Sequence, residues 1–252
     1  MASATVQIER RGRIQVITLR REERRNAIDA TVTGGIDAAL NEFEDDPALW
    51  CSILTGGPSV FSAGADLRTG PGDPTPRGGI AGIAQRVRTK PLIAAVEGWA
   101  LGGGLEIVLC CDLVVASRTA RFGLPEPKRG LLASFGGTFR IGKALPLNVA
   151  REMLLTGHDL EADRAERLGF VNVLCEPGHA LDAALALAEE VCGNAPVAIR
   201  SALSVVNADL ARHDPENWAR SEEARDRVAA SRDRVEGIAA FTEKREPNWI
   251  GE

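Results

Sequence analysis

The sequence predicts an α/β fold with a helical C-terminal region. Two observations predict it. Short apolar runs that read as strands alternate with amphipathic segments through the first half of the chain. From Gly136 onward helical periodicity takes over. Alternating strands and helices build parallel sheets through right-handed crossovers. The units vary in length and have no fixed period, which argues against a simple solenoid. A soft boundary near Asn194 divides the expectation into a core, residues 1–194, and a helical region, residues 195–252.

The elements follow in order. Ile14-Gln15-Val16-Ile17-Thr18-Leu19 alternates and reads as a strand. Val32, Ile36, Ala39, Leu40 and Phe43 recur at steps of three and four, giving a helix from about Thr31 to Glu44. Ser52–Thr55 is a short strand stopped by Gly56-Gly57-Pro58. Residues 69–79 are rich in glycine and proline and read as a flexible surface loop, either a disordered tip or a lid. Ile80–Thr89 is expected to be helical, and Pro91 opens the strand Leu92–Val96. Gly102–Val108 is a helix and Leu113–Ala116 a buried strand, followed by the turn-like Phe122–Glu126. Six further helices are expected: Ala150–Thr156, Ala162–Leu168, Ala180–Cys192, Val197–Leu210, Glu216–Ala230 and Val235–Arg245.

The stretch Gly98-Trp99-Ala100-Leu101-Gly102-Gly103-Gly104-Leu105-Glu106 stands out. Three glycines strip a turn of side chains just where a helix begins. A helix start leaves N–H groups without partners, which suits an anion or a developing negative charge. The same spacing also fits a tight packing turn between strand and helix. Glu106 lies inside an otherwise apolar helix, and Glu126 follows Phe122-Gly123-Leu124-Pro125. Burying an unpaired carboxylate is costly, so an acid in such surroundings needs a partner or a chemical role. Asp66 and Asp112 read as structural, one a cap and the other a hydrogen-bonding group at a strand start.

Composition excludes several classes. With 44% hydrophobic and 26% charged residues the chain is an ordinary globular protein. A net charge of -5 argues against nucleic acid as the main partner. Met1–Arg13 has no leader-like apolar core, and no run approaches a membrane span. The five cysteines show neither CxxC nor framework spacing, so they read as thiols in a reducing, cytoplasmic setting. His158, His179 and His213 have no ligand spacing, and no metal site is expected. Gly137–Ala144 nearly matches a phosphate-binding loop but lacks the hydroxyl at Ala144 and a preceding strand. Ile107 breaks the dinucleotide glycine pattern, and no GxSxG elbow exists.

Taken together, Phe61–Leu67, Pro91–Glu106, Cys111-Asp112-Leu113 and Phe122–Glu126 resemble the enoyl-CoA hydratase (crotonase) family. Arg25-Asn26-Ala27-Ile28, Gly136-Gly137-Thr138, Glu236-Gly237 and Phe241–Arg245 extend the likeness over essentially the whole chain. The resemblance implies a spiral of ββα units followed by a helical trimerisation region, giving a trimer or a dimer of trimers. It implies an acyl-CoA thioester substrate, in β-oxidation or related fatty-acid metabolism, with no cofactor beyond the coenzyme A of that substrate. The N–H groups of Ala65 and Gly103 would form the oxyanion hole, with Glu106 and Glu126 as the catalytic acids. Binding would involve Arg25, Ala27, Ala65, Asp66, Leu67, Arg68, Gly102 and Gly103, with Lys244 or Phe241 near the nucleotide. The implied reaction is reversible hydration of a trans-2-enoyl-CoA to a 3-hydroxyacyl-CoA. The alternatives are an isomerase, a crotonobetainyl-CoA-type hydratase, or a non-catalytic acyl-CoA binder. Two departures from the short-chain hydratases, Ser134 for glycine and Leu124 for a polar residue, leave the acyl group open.

Overall fold

The computed structural model describes residues 5–252. Part of the Met1–Arg13 segment, residues 1–4, lies outside that range. The described residues form two sheets. The larger has six strands in the order β1 (Val6–Arg11), β2 (Ile14–Leu19), β3 (Cys51–Thr55), β4 (Leu92–Val96), β6 (Leu113–Ser117) and β9 (Val173–Cys175). Within this sheet β1 and β2 pair antiparallel and each following pair is parallel. The smaller sheet holds β5 (Trp99–Leu101), β7 (Arg121–Gly123) and β8 (Leu160–Glu161). The chain passes from β4 to β5 and from β6 to β7, so these two turns each add one strand to each sheet.

The parallel strands are buried on both faces, which explains their continuous apolar runs. Alternation sends Ile17, Leu54, Ala94 and Ala116 to one core and Val16, Ile53, Ala95 and Val115 to the other. The first core is closed by α1 (Ala30–Asp45), whose Val32, Ile36, Leu40 and Phe43 are fully buried. The second is closed by α6 (Ala180–Cys192) through Ala180, Ala184 and Ala188, one step of four apart. Glu97, buried between β4 and β5, accepts N–H bonds from Gly178 (2.9 Å) and Ala180 (3.0 Å) and so caps α6.

Two expectations fail before the site is reached. Ile80–Thr89 is not a helix; only a 3-10 turn forms at Ile80–Gly82. Gly79 and Gly82 take positive φ, and a Cβ on Gly82 would strike the backbone of α1. The preceding loop is tied down. Thr75 Oγ1 donates to Asp37 (2.8 Å), Thr33 Oγ1 donates to the Pro71 carbonyl (2.6 Å), and Thr75 pairs with Gly79.

Helix α2 (Gly103–Val108) follows the glycine turn. Two unforeseen features follow it: α3 (Gly137–Ala144), where the near phosphate-loop pattern lies, and the 3-10 turn Glu126–Arg129. α4 (Leu147–Thr156), α5 (Ala162–Arg167) and α6 match their sequence patterns within a few residues. The tail is α7 (Pro196–Leu210), α8 (Asp214–Ala229) and α9 (Arg232–Glu243). α8 packs through Trp218 edge-on against Phe139 of α3, 5.2 Å between ring centroids. α9 lies against the Glu126–Arg129 turn, close enough that a Cβ on Gly237 would meet the Arg129 carbonyl. No described helix is long and apolar enough to cross a membrane.

Candidate active site

The site begins as a backbone construction. Arg25 and Asn26 both adopt left-handed φ, 53° and 51°, which turns the chain sharply after the first strands. Asn26 then holds three segments at once. Its Nδ2 donates to the carbonyls of Gly56 (2.7 Å) and Val60 (3.0 Å), and its Oδ1 accepts from Arg21 N–H (2.9 Å). The Ser62–Ala65 segment is consequently zipped on both sides. Ala63 N–H donates to Arg25 and Ile28 N–H to Gly64 on one side; Ser62 exchanges bonds with Trp99 and Leu101 on the other.

This zipping aims Ala65. Ile28 bonds to Gly64 and Asp66, so the intervening Ala65 turns its own N–H away from Ile28. Gly103 is the first residue of α2, where an N–H has no intrahelical acceptor. Among the described residues neither N–H has a hydrogen-bond partner. The two backbones abut: a Cβ built on Gly64 would lie 3.1 Å from Gly103 N. Two main-chain donors thus stand free beside each other at the foot of a helix, where the dipole favours negative charge.

Both glutamates converge on that helix start. Glu106 sits in the first turn of α2 and is 2% exposed. Its Oε1 accepts N–H bonds from Phe135 and Gly137, each at 2.7 Å. Glu126 reaches in from the 3-10 turn after β7. A Cβ on Gly102, which has φ 54°, would lie 2.9 Å from Glu126 Oε1. The glycine turn is therefore what makes room for the second carboxylate. Glu126 Oε2 is buried with no hydrogen-bond partner.

Burial dominates the electrostatics of both acids. It pushes the Glu106 carboxyl up to about 8, aided by the nearby Glu126 charge and opposed by the Gly137 and Phe135 N–H groups and by Arg140. It pushes Glu126 up to about 7, opposed by its own backbone N–H and by Arg129. Glu106 stands the higher of the two, yet its Oε1 takes two N–H bonds at 2.7 Å whereas Glu126 Oε2 takes none; where one proton is left between them, those fixed donors favour the anion on Glu106 and the proton on Glu126.

The remaining candidates divide. Arg25, Leu67 and Arg68 are exposed beside the Ala65 loop, and Ala27 is half-buried. The Asp66 carboxylate is consumed internally: Oδ2 pairs with Arg21 at 2.8 Å and Oδ1 accepts from Arg68 N–H at 3.0 Å. Asp112 is structural as expected, gripped by both Arg88 nitrogens (2.6 and 2.8 Å) and by Leu92 N–H. Phe241 stacks under Arg129, 4.6 Å from the guanidinium carbon. Lys143, the lysine of the near phosphate-loop pattern, instead holds the α7–α8 junction through the Leu210 carbonyl and Asp214. The three histidines are exposed, and no cluster of metal-binding side chains occurs among the described residues. A cavity of about 580 Å³ opens beside Lys143, His213 and Arg220, and no candidate residue lines it.

Sequence reasoning missed the residues that hold the site: Asn26, Arg21, and the Phe135 and Gly137 N–H groups. The Arg25-Asn26-Ala27 triplet was visible only as part of a motif. Nothing in the sequence marks a main-chain donor.

A two-sheet ββα spiral with free donors at the second helix defines a crotonase-type fold. The chain belongs to the enoyl-CoA hydratase/isomerase family, which it matches over residues 9–252. It is 37% identical to a carnitinyl-CoA dehydratase of Salmonella arizonae, over 99% of both chains. Among solved structures, a carnitinyl-CoA hydratase from Mycobacterium avium superposes with a TM-score of 0.95 at 40% identity, covering 100% of both chains. An enoyl-CoA hydratase from Mycobacterium tuberculosis H37Rv gives 0.80 at 42% identity, covering 99% of this chain and 100% of its own.

Proposed function

We propose that the protein is an enoyl-CoA hydratase acting on a trans-2-enoyl-CoA thioester. One observation carries the reading: two buried carboxyls in unlike surroundings meet beside two unpartnered main-chain donors. The thioester carbonyl oxygen accepts from Ala65 and Gly103 N–H and gathers enolate charge as water attacks. Each preorganised donor of this kind contributes about 3 kcal/mol to the transition state. Glu106, held as an anion, takes a proton from the water whose oxygen bonds to Cβ. Glu126 delivers its proton to Cα. The sum is one water added; return of a proton from Glu106 to Glu126 resets the pair.

Coenzyme A binding falls to Arg25 and Arg68 through charge, and to Ala27, Ala65, Leu67, Gly102 and Gly103 through main chain or contact. Asp66 contributes its backbone only, because Arg21 occupies its side chain. The reading needs no cofactor beyond the substrate's own coenzyme A. A homotrimer or dimer of trimers is supported by α7, which buries no residue and exposes Val197, Val205, Val206 and Leu210.

The relatives' names favour a second reading with the same chemistry, in which the acyl group is carnitinyl or crotonobetainyl. A substrate panel separates the two: crotonyl-CoA, longer enoyl-CoAs and crotonobetainyl-CoA, followed by loss of enoyl absorbance and product analysis. Glu106→Gln or Glu126→Gln should each cost about 100-fold or more. Full rates in both variants would refute the mechanism. A shifted double bond with no water added would make the protein an isomerase.

A further inference from the structure

Arg140, on the first turn of α3, lies where three parts of the molecule meet. Its Nη1 donates to the Phe135 carbonyl (3.2 Å) and its Nη2 to the Ala84 carbonyl (2.7 Å). The guanidinium also sits over the rings of Phe139 (5.2 Å) and Trp218 (5.3 Å), and Nη2 is 3.8 Å from Asp214 at the start of α8. Phe135 is the residue whose N–H, with that of Gly137, holds Glu106 Oε1. The arginine therefore grips the carbonyl side of the same loop whose N–H side grips the carboxylate. A planar fork can hold two carbonyls in fixed directions, which a single ammonium cannot.

We propose that Arg140 is a positioning residue for Glu106, fixing the Phe135–Gly137 donor loop against Ala84 and the C-terminal helix α8. It does not touch the reacting atoms. The inference rests on the reading of Glu106 as the water-activating base. Glu106 is faced by Glu126 from the turn after β7 and by Arg140 from α3; Arg140 is faced by Asp214 from α8 and by the Cys110 thiol after α2. Removing the cation therefore takes away the only positive neighbour among those groups.

Arg140→Gln tests this, with hydration rates measured from pH 5 to pH 10 and thermal unfolding followed in parallel. The expected result is a kcat reduced about 10- to 100-fold, the cost of a base displaced by a fraction of an ångström to an ångström. KM should stay within about twofold, because the loop faces the water and not coenzyme A. The pH–rate profile should move to higher pH by about one unit, since loss of a cation raises a neighbouring carboxyl. A purely structural role predicts a lower Tm and fewer active molecules with an unmoved profile, and that result overturns the proposal. If Arg140→Gln does not fold, Arg140→Lys carries the test. Lysine keeps the charge and loses the fork, so kcat should fall while the profile stays in place; a wild-type kcat overturns the proposal. Glu106→Gln in the same assay separates the two levels. Full activity there refutes the role of Glu106 itself, whereas an inactive Glu106→Gln beside a fully active Arg140→Gln refutes only the role of Arg140.

Discussion

Replacing Glu106 with glutamine should make the protein slower and, above neutral pH, more stable. Glutamine keeps the shape, and its Oε1 can still accept from Phe135 and Gly137. It removes only the charge. The rate loss is that of a general base, about 10²- to 10⁴-fold, or roughly 3–5 kcal/mol of transition-state stabilisation. The stability gain follows from burial, because the folded protein raises this carboxyl from its ordinary 4.5 to about 8. A raised acid binds its proton more tightly in the folded state. Its contribution to stability is fully present below the unfolded value and is lost as pH climbs through about 8. Glutamine escapes that loss. At pH 9 the variant should be more stable by about 1–4 kcal/mol, with the difference fading towards pH 5. In a chain of 252 residues each kcal/mol moves Tm by about 2–4 °C. Calorimetry at pH 5, 7 and 9 beside hydration kinetics reads both quantities. A variant less stable at pH 9 than the parent would refute the claim that burial strains this carboxylate.

Glu126→Gln should also slow hydration by about 100-fold or more. The variant keeps the shape of the side chain and loses the proton that goes to Cα, so single-turnover hydration of the bound enoyl-CoA should slow with no matching loss of thermal stability. Gly137→Ala places a Cβ 2.8 Å from Glu106 Oε1. It should cost about 1–3 kcal/mol of stability by overpacking and depress kcat far more than KM, as steady-state kinetics will show. Asn26→Ala deletes three hydrogen bonds that hold the Ala65 loop, about 1 kcal/mol each. It should lower the urea midpoint and weaken both kcat and KM, since donor and binding loop move together; an unchanged KM would count against that loop as the coenzyme A contact.

The fold was legible where burial is two-sided. β3, β4 and β6 are largely apolar runs, and β2 alternates only at Gln15 and Thr18, because each strand faces a core on either side. The short strands of the second sheet were not legible. Trp99–Leu101 and Arg121–Gly123 are three residues long, and their pairing is decided by partners far away in sequence. Ile80–Thr89 read as helical, yet Gly79 and Gly82 take positive φ, and a Cβ on either would strike Gln85 or the backbone of α1. In the candidate site, Glu106 and Glu126 stood out as acids in apolar surroundings. Their support did not, since Phe135 and Gly137 contribute N–H groups that every residue but proline carries. The Gly102 turn signalled a close approach, but only the structure shows that what approaches is the carboxylate of Glu126.

The placement of the two acids also explains how one scaffold can serve different acyl groups. Each acid is fixed from behind. Glu106 is held by the loop that leads into α3, which Trp218 of α8 braces; the Glu126 turn is braced by α9, with Gly130 and Gly237 at the contact. The free N–H groups of Ala65 and Gly103 are main chain, and the segment that carries Ala65 is zipped between Arg25–Ile28 and Trp99–Leu101. None of these supports uses a side chain that must face the acyl tail. Residues that none of these supports uses, such as the half-buried Ser134 next to the Phe135 donor, can therefore vary without disturbing how the two acids are held. Discrimination by an apolar pocket wall is worth only about 1–3 kcal/mol per methylene, whereas rejection of a polar tail needs an unpaired group to enforce it. Relatives named for carnitinyl-CoA and for enoyl-CoA on one fold are what such a separation allows. The acyl preference of this chain should then follow substitutions at Ser134 and leave the pH–rate profile, set by Glu106 and Glu126, where it was.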